Sequence, residues 1–190
     1  MFPGYAGKIV RVDLTRKQVK TQETSEELAR KFVGGRGLAA KIFFDEVPVE
    51  TEPLSPGNLL IFMTGPFAGT AALNSGRHCV TCKSPLTELY AHSDAGGTWG
   101  QELKFSGHDG IVLSGKASKP VYIWIQDDNV EIRPARHLWG LDTYETDEAV
   151  KKETDGKAEV ACVGPAGEKL VKIASILHDG KHARMAARAG

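Results

Sequence analysis

Long apolar runs are the first thing this sequence lacks. The stretch from Leu59 to Met63 is among its longest, far short of the roughly 20 residues that a membrane-spanning helix requires. The opening "MFPGYAGKIV" lacks the basic, apolar and small-residue order of a secretory signal, so a cytoplasmic protein with no membrane partner is expected. An excess of one charge is also missing: 24 Lys and Arg balance 24 Asp and Glu. No long-range field therefore draws in nucleic acid, and any anion site must be local. Cysteine is scarce and odd in number, at three, which excludes a secreted disulfide framework and fits a reducing compartment.

Catalytic signatures are absent too. There is no G-x-S-x-G, no H-E-x-x-H and no Walker loop, and "GGRG" at residues 34–37 lacks the spaced third glycine of a dinucleotide site. The six histidines, His78, His92, His108, His137, His178 and His182, have no ligand spacing, so a protein-ligated metal is not expected. Internal repeats and low-complexity tracts are lacking as well. The sequence stops in the Gly/Ala/Arg-rich "HDGKHARMAARAG", which reads as a piece of something longer.

What is present is alternation. At this length one large domain with its own core is expected. "KIVRVDL" and "QVKTQE" around a turn read as a hairpin. Thr24 with Glu27 reads as a capping box opening a helix that meets "GGRG", kinks, and resumes to Pro48. Strand patterns follow in "NLLIFMTG", "RHCVTCKSP", "ELYAHS", "GIVLSG" and "VYIWIQDDNVEIRPA", the last folding back at Asp127–Asn129. Helices are expected over 98–105 and 146–153, and strands in "AEVACVG" and "LVKIASIL". The sum is an antiparallel-rich, two-sheet α+β domain with a few peripheral helices.

The pair Cys79 and Cys82 has C-x-x-C spacing, but β-branched Val80 and Thr81 lie between. On a strand, residues three apart point to opposite faces, so neither a shared metal nor a disulfide is expected. The residues suited to chemistry are anion-binding parts. In "SDAGGTWGQELKF", Gly96 and Gly97 let backbone approach a ligand at a helix start. Asp94 there reads either as an ordinary N-cap or as a neighbour of phosphate, in which case a cation such as Mg²⁺ must lie between. In "GKHARMAAR", Arg184 and Arg188 share a face if the segment is helical and would clamp phosphate; a solvated basic face is the plainer reading. Arg77 enters a strand after a turn, the place of many surface salt bridges.

Taken together, "VGGRGLAAKIFFDEV", "PLSPGNLLIFMTGPFAGT", "SGRHCVTCKSPLTELYAHSDAGGTWGQELKFSGHDGIVLSGKA", "VYIWIQDDNVEIRPARHLWG" and "VGPAGEKLVKIASILHDGKHARMAARAG" closely resemble the N-terminal domain of the aldehyde ferredoxin oxidoreductases, from about Gly7 to Gly190. The resemblance implies a base domain for a tungsten (or molybdenum) bis-pyranopterin, with Mg²⁺ bridging the pterin phosphates and a 4Fe–4S cluster bound by later domains. It implies Arg77, Asp94, Gly96, Gly97, Arg184, Met185, Ala187 and Arg188 as cofactor contacts, with backbone carbonyls of Asp94 and Met185 on the Mg²⁺. No catalytic residue is expected in these 190 residues. Asp94 stands where a family member has Asn, and Met185 and Ala187 where it has Ala and Gly. The implied partners are a small aldehyde, ferredoxin or an electron-transfer subunit, the remaining domains, and a second copy in a homodimer. Two alternatives remain open at this point: the tungsten subunit of a benzoyl-CoA reductase-type complex, and a free-standing pterin-binding or scaffold domain.

Overall fold

The computed structural model describes residues 3–188, except for the side chains of residues 187 and 188. Its centre is a six-stranded sheet of order β2-β1-β6-β3-β4-β5. These strands are β1 (Lys8–Asp13), β2 (Gln18–Glu23), β3 (Leu59–Thr64), β4 (His78–Lys83), β5 (Tyr90–Ala95) and β6 (Gly110–Ser114). All neighbours run antiparallel except β1 and β6, which are parallel. Strand β6 thus joins the N-terminal hairpin to the rest of the sheet.

Period two explains how this sheet is covered. Ile9, Ile61, Met63 and Val112 point to one face, where they meet Leu38, Ala39 and Ile42 of α2 (Gly35–Glu46). Val10, Val12, Phe62, Val80 and Ile111 point to the other, where they meet Ile176 and Ala186. Strands buried on both faces read as continuous apolar runs rather than alternation, as in "LLIFMT" of β3. The second face is covered by two smaller sheets. One is the hairpin β7 (Val121–Gln126) and β8 (Asn129–Pro134), turning through Asp127 at φ 51°. The other has the order β11-β10-β9, formed by β9 (Ala161–Cys162), β10 (Ser175–His178) and β11 (Arg184–Arg188). The antiparallel-rich α+β expectation holds, with the smaller layer divided in two.

The remaining helices are α1 (Glu26–Phe32), α3 (Trp99–Phe105), α4 (Thr143–Glu153) and the short α5 (Pro165–Glu168). Several boundaries differ from expectation. The cap of α1 is Ser25, whose hydroxyl accepts from the Leu28 amide, because Thr24 gives its own hydroxyl to buried Asp109. The kink at "GGRG" is a full break, with Val33 at φ 62°. Helix α4 starts at Thr143 under a capping box of Asp142 and Glu145, so Thr146 lies inside it. "AEVACVG" pairs only at Ala161–Cys162, and "LVKIASIL" only from Ser175, because Pro165 opens α5 and Leu170 takes φ 56°. The segment Arg184–Arg188, left open above as a possible helix, is strand β11: Ala183 adopts a left-handed conformation before it, and pairing with β10 outweighs the helix propensity of Ala and Arg.

Candidate functional site

Three segments far apart in sequence converge at Gly97. The first is the coil 74–77, which carries exposed Arg77 into β4. A Cβ added to its Gly76 would stand 2.7 Å from the Gly97 carbonyl oxygen and 2.7 Å from Gln101 Nε2. The second is the turn Gly96–Gly97 between β5 and α3. The third is Asp179, at the end of β10 and before the 3₁₀ turn Gly180–His182 that feeds β11. A Cβ on Gly97 would fall 1.4 Å from Asp179 Oδ2, so only glycine leaves room for that carboxylate.

The expected site residues fall around this point. Arg77 and Arg184 are exposed, and among the described residues their side chains carry no hydrogen bond or ion pair. Met185, 63% exposed, follows on β11. Gly96 faces open space where a side chain would begin. The expected contacts of the Ala187 and Arg188 side chains lie outside the described residues; their backbone continues β11 past a register shift.

Asp94 is not an N-cap: it sits in β5, and α3 begins five residues later. Its carboxylate lies 3.8 Å from Arg36, which also meets His92 at 3.2 Å. Sequence reading passed over Arg36; its only signal was the arginine within "GGRG". The N-terminus of α3 is not open either, because Asp179 accepts from the Thr98 and Trp99 amides at 3.1–3.2 Å and from the Thr98 hydroxyl at 3.1 Å. Those amides are therefore already taken by a protein carboxylate.

Behind the convergence lie the buried rings of His78 and His178 and the partly buried ring of Trp99, tilted or edge-on to one another with centroids 4.8–6.4 Å apart. Among the described residues, neither nitrogen of either histidine makes a hydrogen bond. His178 Nδ1 lies 3.3 Å from Asp179 Oδ1, near enough for attraction but not aligned as a hydrogen bond. Burial, then His178 beside it, lowers the His78 pKa from 6.5 to about 4 against the opposing pull of Asp179, so His78 is neutral at pH 7. Burial raises the Asp179 carboxyl, but the Trp99 amide, His178 and the Thr98 amide outweigh it and hold the group below the ordinary range.

The cysteines have no part in this site. Cys79 and Cys82 are free and buried. Cys79 Sγ lies 3.5 Å from the Thr81 hydroxyl two residues on, and Cys82 alternates to the other face. Burial pushes both thiols, and that of Cys162, up to about 11. Among the described residues no three His, Cys, Asp or Glu side chains gather to hold a metal, and no helix is long and apolar enough to cross a membrane.

Comparison with known proteins places this arrangement in a family. The description "Aldehyde ferredoxin oxidoreductase, N-terminal domain" matches residues 9–190. The tungsten-containing aldehyde ferredoxin oxidoreductase of Pyrococcus furiosus is 47% identical over 181 residues, covering 95% of this chain and 30% of that protein. Its namesake in Thermococcus kodakarensis is 48% identical over 188 residues, covering 98% and 31%. Among solved structures, the active-site complex BamBC of benzoyl coenzyme A reductase with 1,5-dienoyl-CoA superposes with a TM-score of 0.95 at 41% identity, covering all of this chain and 29% of that one. The chain thus spans about a third of the length of the relatives it matches. With a match over nearly every residue, the chain belongs to the aldehyde ferredoxin oxidoreductase N-terminal domain family.

Proposed function

We propose that this chain, over residues 1–190, is the cofactor-base domain of a tungsten-dependent oxidoreductase that oxidises small aldehydes to carboxylic acids and passes the electrons to ferredoxin or a related carrier. The observation that carries the reading is the convergence at Gly97, which gathers Arg77, Gly96 and the Arg184 strand from three distant segments.

The residues fit a bis-pyranopterin. Phosphates call for cations, and Arg77 and Arg184 are exposed without a carboxylate partner. The open space over Gly96 admits a ligand against backbone. Arg36 offsets the charge of Asp94, so that residue need not repel a phosphate. In this reading Arg77, Arg184 and Arg188 hold phosphate and pterin, while backbone at Asp94, Gly96, Gly97, Met185 and Ala187 lies against the cofactor. Carbonyl oxygens of Asp94 and Met185 would serve a Mg²⁺ between phosphates, the oxygen-only ligation that ion prefers. When bound, the tungsten (or molybdenum) centre supplies the two-electron oxidation. The chain's own residues bind and orient; the 4Fe–4S cluster and proton-transferring groups would belong to the two-thirds of the relatives' length outside this chain.

Metal analysis of the full-length gene product, purified without oxygen, tests the reading. Tungsten or molybdenum is expected with pterin, and Arg77→Ala combined with Arg184→Ala should lower both several-fold. A folded protein free of both metals would sink the proposal. The likeness to BamBC supports a second reading, a tungsten subunit acting on a coenzyme A thioester. Turnover of dienoyl-CoA but not of short aldehydes by the purified protein would favour it.

A further inference from the structure

Helix α3 has no cap of its own. Thr98, at its N-cap position, is in a helical conformation and its side chain caps nothing. The acceptor arrives from 81 residues away: Asp179, itself left-handed at φ 62° and ψ 29°, places both carboxylate oxygens on the Thr98 amide and one on the Trp99 amide. It reaches them through the space left by Gly97, which holds φ 103°. Directly downstream, the 3₁₀ turn and Ala183 at φ 45° deliver Arg184. One carboxylate therefore joins the glycine turn to the arginine strand, and Gly76, against the Gly97 carbonyl, brings the Arg77 segment to the same point.

We propose that Asp179 is a positioning residue, whose carboxylate, seated over Gly97, fixes the Gly96–Gly97 turn against β11 so that Arg77 and Arg184 meet the same ligand; this rests on the cofactor-base reading. Three features fit that role better than simple helix capping. Gly97 is required twice over, by its φ of 103° and by the carboxylate, whose Oδ2 a Cβ would meet at 1.4 Å. Asp179 is 8% exposed, so its negative charge is met by those amides and does not face an anionic ligand. The linked turn, Gly96–Gly97, has no side chains of its own to anchor it, so a charge-assisted contact of this kind governs its order.

The test uses the full-length protein, produced with tungstate and purified without oxygen. Asp179→Ala and Gly97→Ala should each speed amide exchange at Thr98 and Trp99 about tenfold and lower tungsten and pterin content several-fold. Because both break one contact, the double variant should lose little more than either single one. Asp179→Asn, which keeps one carbonyl acceptor, should restore much of the content. Amide protection in β1, β3 and β6 serves as the measure of folded protein. Fast exchange at Thr98 and Trp99 with full tungsten content would overturn the role, as would tungsten loss that merely tracks the unfolded fraction. Wild-type protein without tungsten or molybdenum would instead defeat the cofactor-base reading, before any variant is made.

Discussion

The six-stranded sheet and the layer around β10 and β11 are held together by different means. In the sheet, Ile9, Val10, Ile61, Met63, Val80 and Val112 are each fully buried or nearly so, from both faces, and no single contact decides the outcome. Around β10, strands are short, Leu170, Asp179 and Ala183 hold positive φ, and at the seam with the sheet lie two edge-on histidines whose ring nitrogens make no hydrogen bond among the described residues. Dispersed apolar burial tolerates change in surroundings; a few polar contacts do not. The candidate site is built at the seam, where the second kind of stabilisation operates.

The contrast can be broken most forcefully at the buried ion pair beside the sheet, between Lys104 of α3 and Asp109 just before β6. Asp109 accepts from the Ala6 and Gly7 amides and the Thr24 hydroxyl, and pairs with Lys104 at 2.5 Å, with both side chains buried. Asp109→Ala would strand a buried ammonium, so denaturant unfolding should show a loss of about 3–5 kcal/mol. Ile61→Ala, which removes apolar contact without leaving a charge, should cost about 2–4 kcal/mol by the same measurement, and its effect should be independent of pH.

The seam should respond to acid instead. Burial drops the proton affinity of His78 from 6.5 to about 4, so below pH 6.5 the unfolded chain binds a proton that the folded chain refuses. The stability from this group is complete above about pH 6.5 and is lost as pH falls towards 4. At about 1.4 kcal/mol per pH unit the interval is worth roughly 3 kcal/mol at most. His108, also lowered by burial, adds in the same direction, so His78→Phe should flatten the slope of stability against pH without abolishing it. An unchanged slope would show that His78 is not the group responsible.

Smaller effects sharpen the picture. Asp142→Ala removes the carboxylate that accepts from the Tyr144 and Glu145 amides at the start of α4, leaving the backbone half of the capping box in place, and should cost about 1 kcal/mol by thermal unfolding. Glu27→Ala, which breaks an exposed pair with Lys31, should leave the thermal unfolding midpoint essentially unchanged.

The same contrast governs how much the sequence disclosed. The sheet was legible because side-chain alternation and apolar runs are local signals: β1, β3, β4 and the β7–β8 hairpin stand where those patterns put them. Thr24 misled by one residue because its hydroxyl is claimed by Asp109, 85 positions away. Alanines and arginines in 184–188 left a helix open, and the neighbouring edge of β10 makes them a strand. Gly96 and Gly97 were recognised as a place of close approach, but the group approaching Gly97 is Asp179, which no spacing rule connects to it. Arg77 was visible as a lone cation; that it has no carboxylate partner required the fold.

The position of β6 has a consequence for the order of assembly. It alone joins the β1–β2 hairpin to β3, β4 and β5, and its parallel register with β1 spans about a hundred residues, Ile9 opposite Gly110. A growing chain must therefore hold its first hairpin idle until Ser114 has left the ribosome, several seconds at ordinary synthesis rates of about 5–20 residues per second. Such late closure favours slow folding and leaves β1 exposed meanwhile. Pulse-labelled exchange during refolding should find the β1 and β6 amides gaining protection together; early protection of β1 alone would contradict this order.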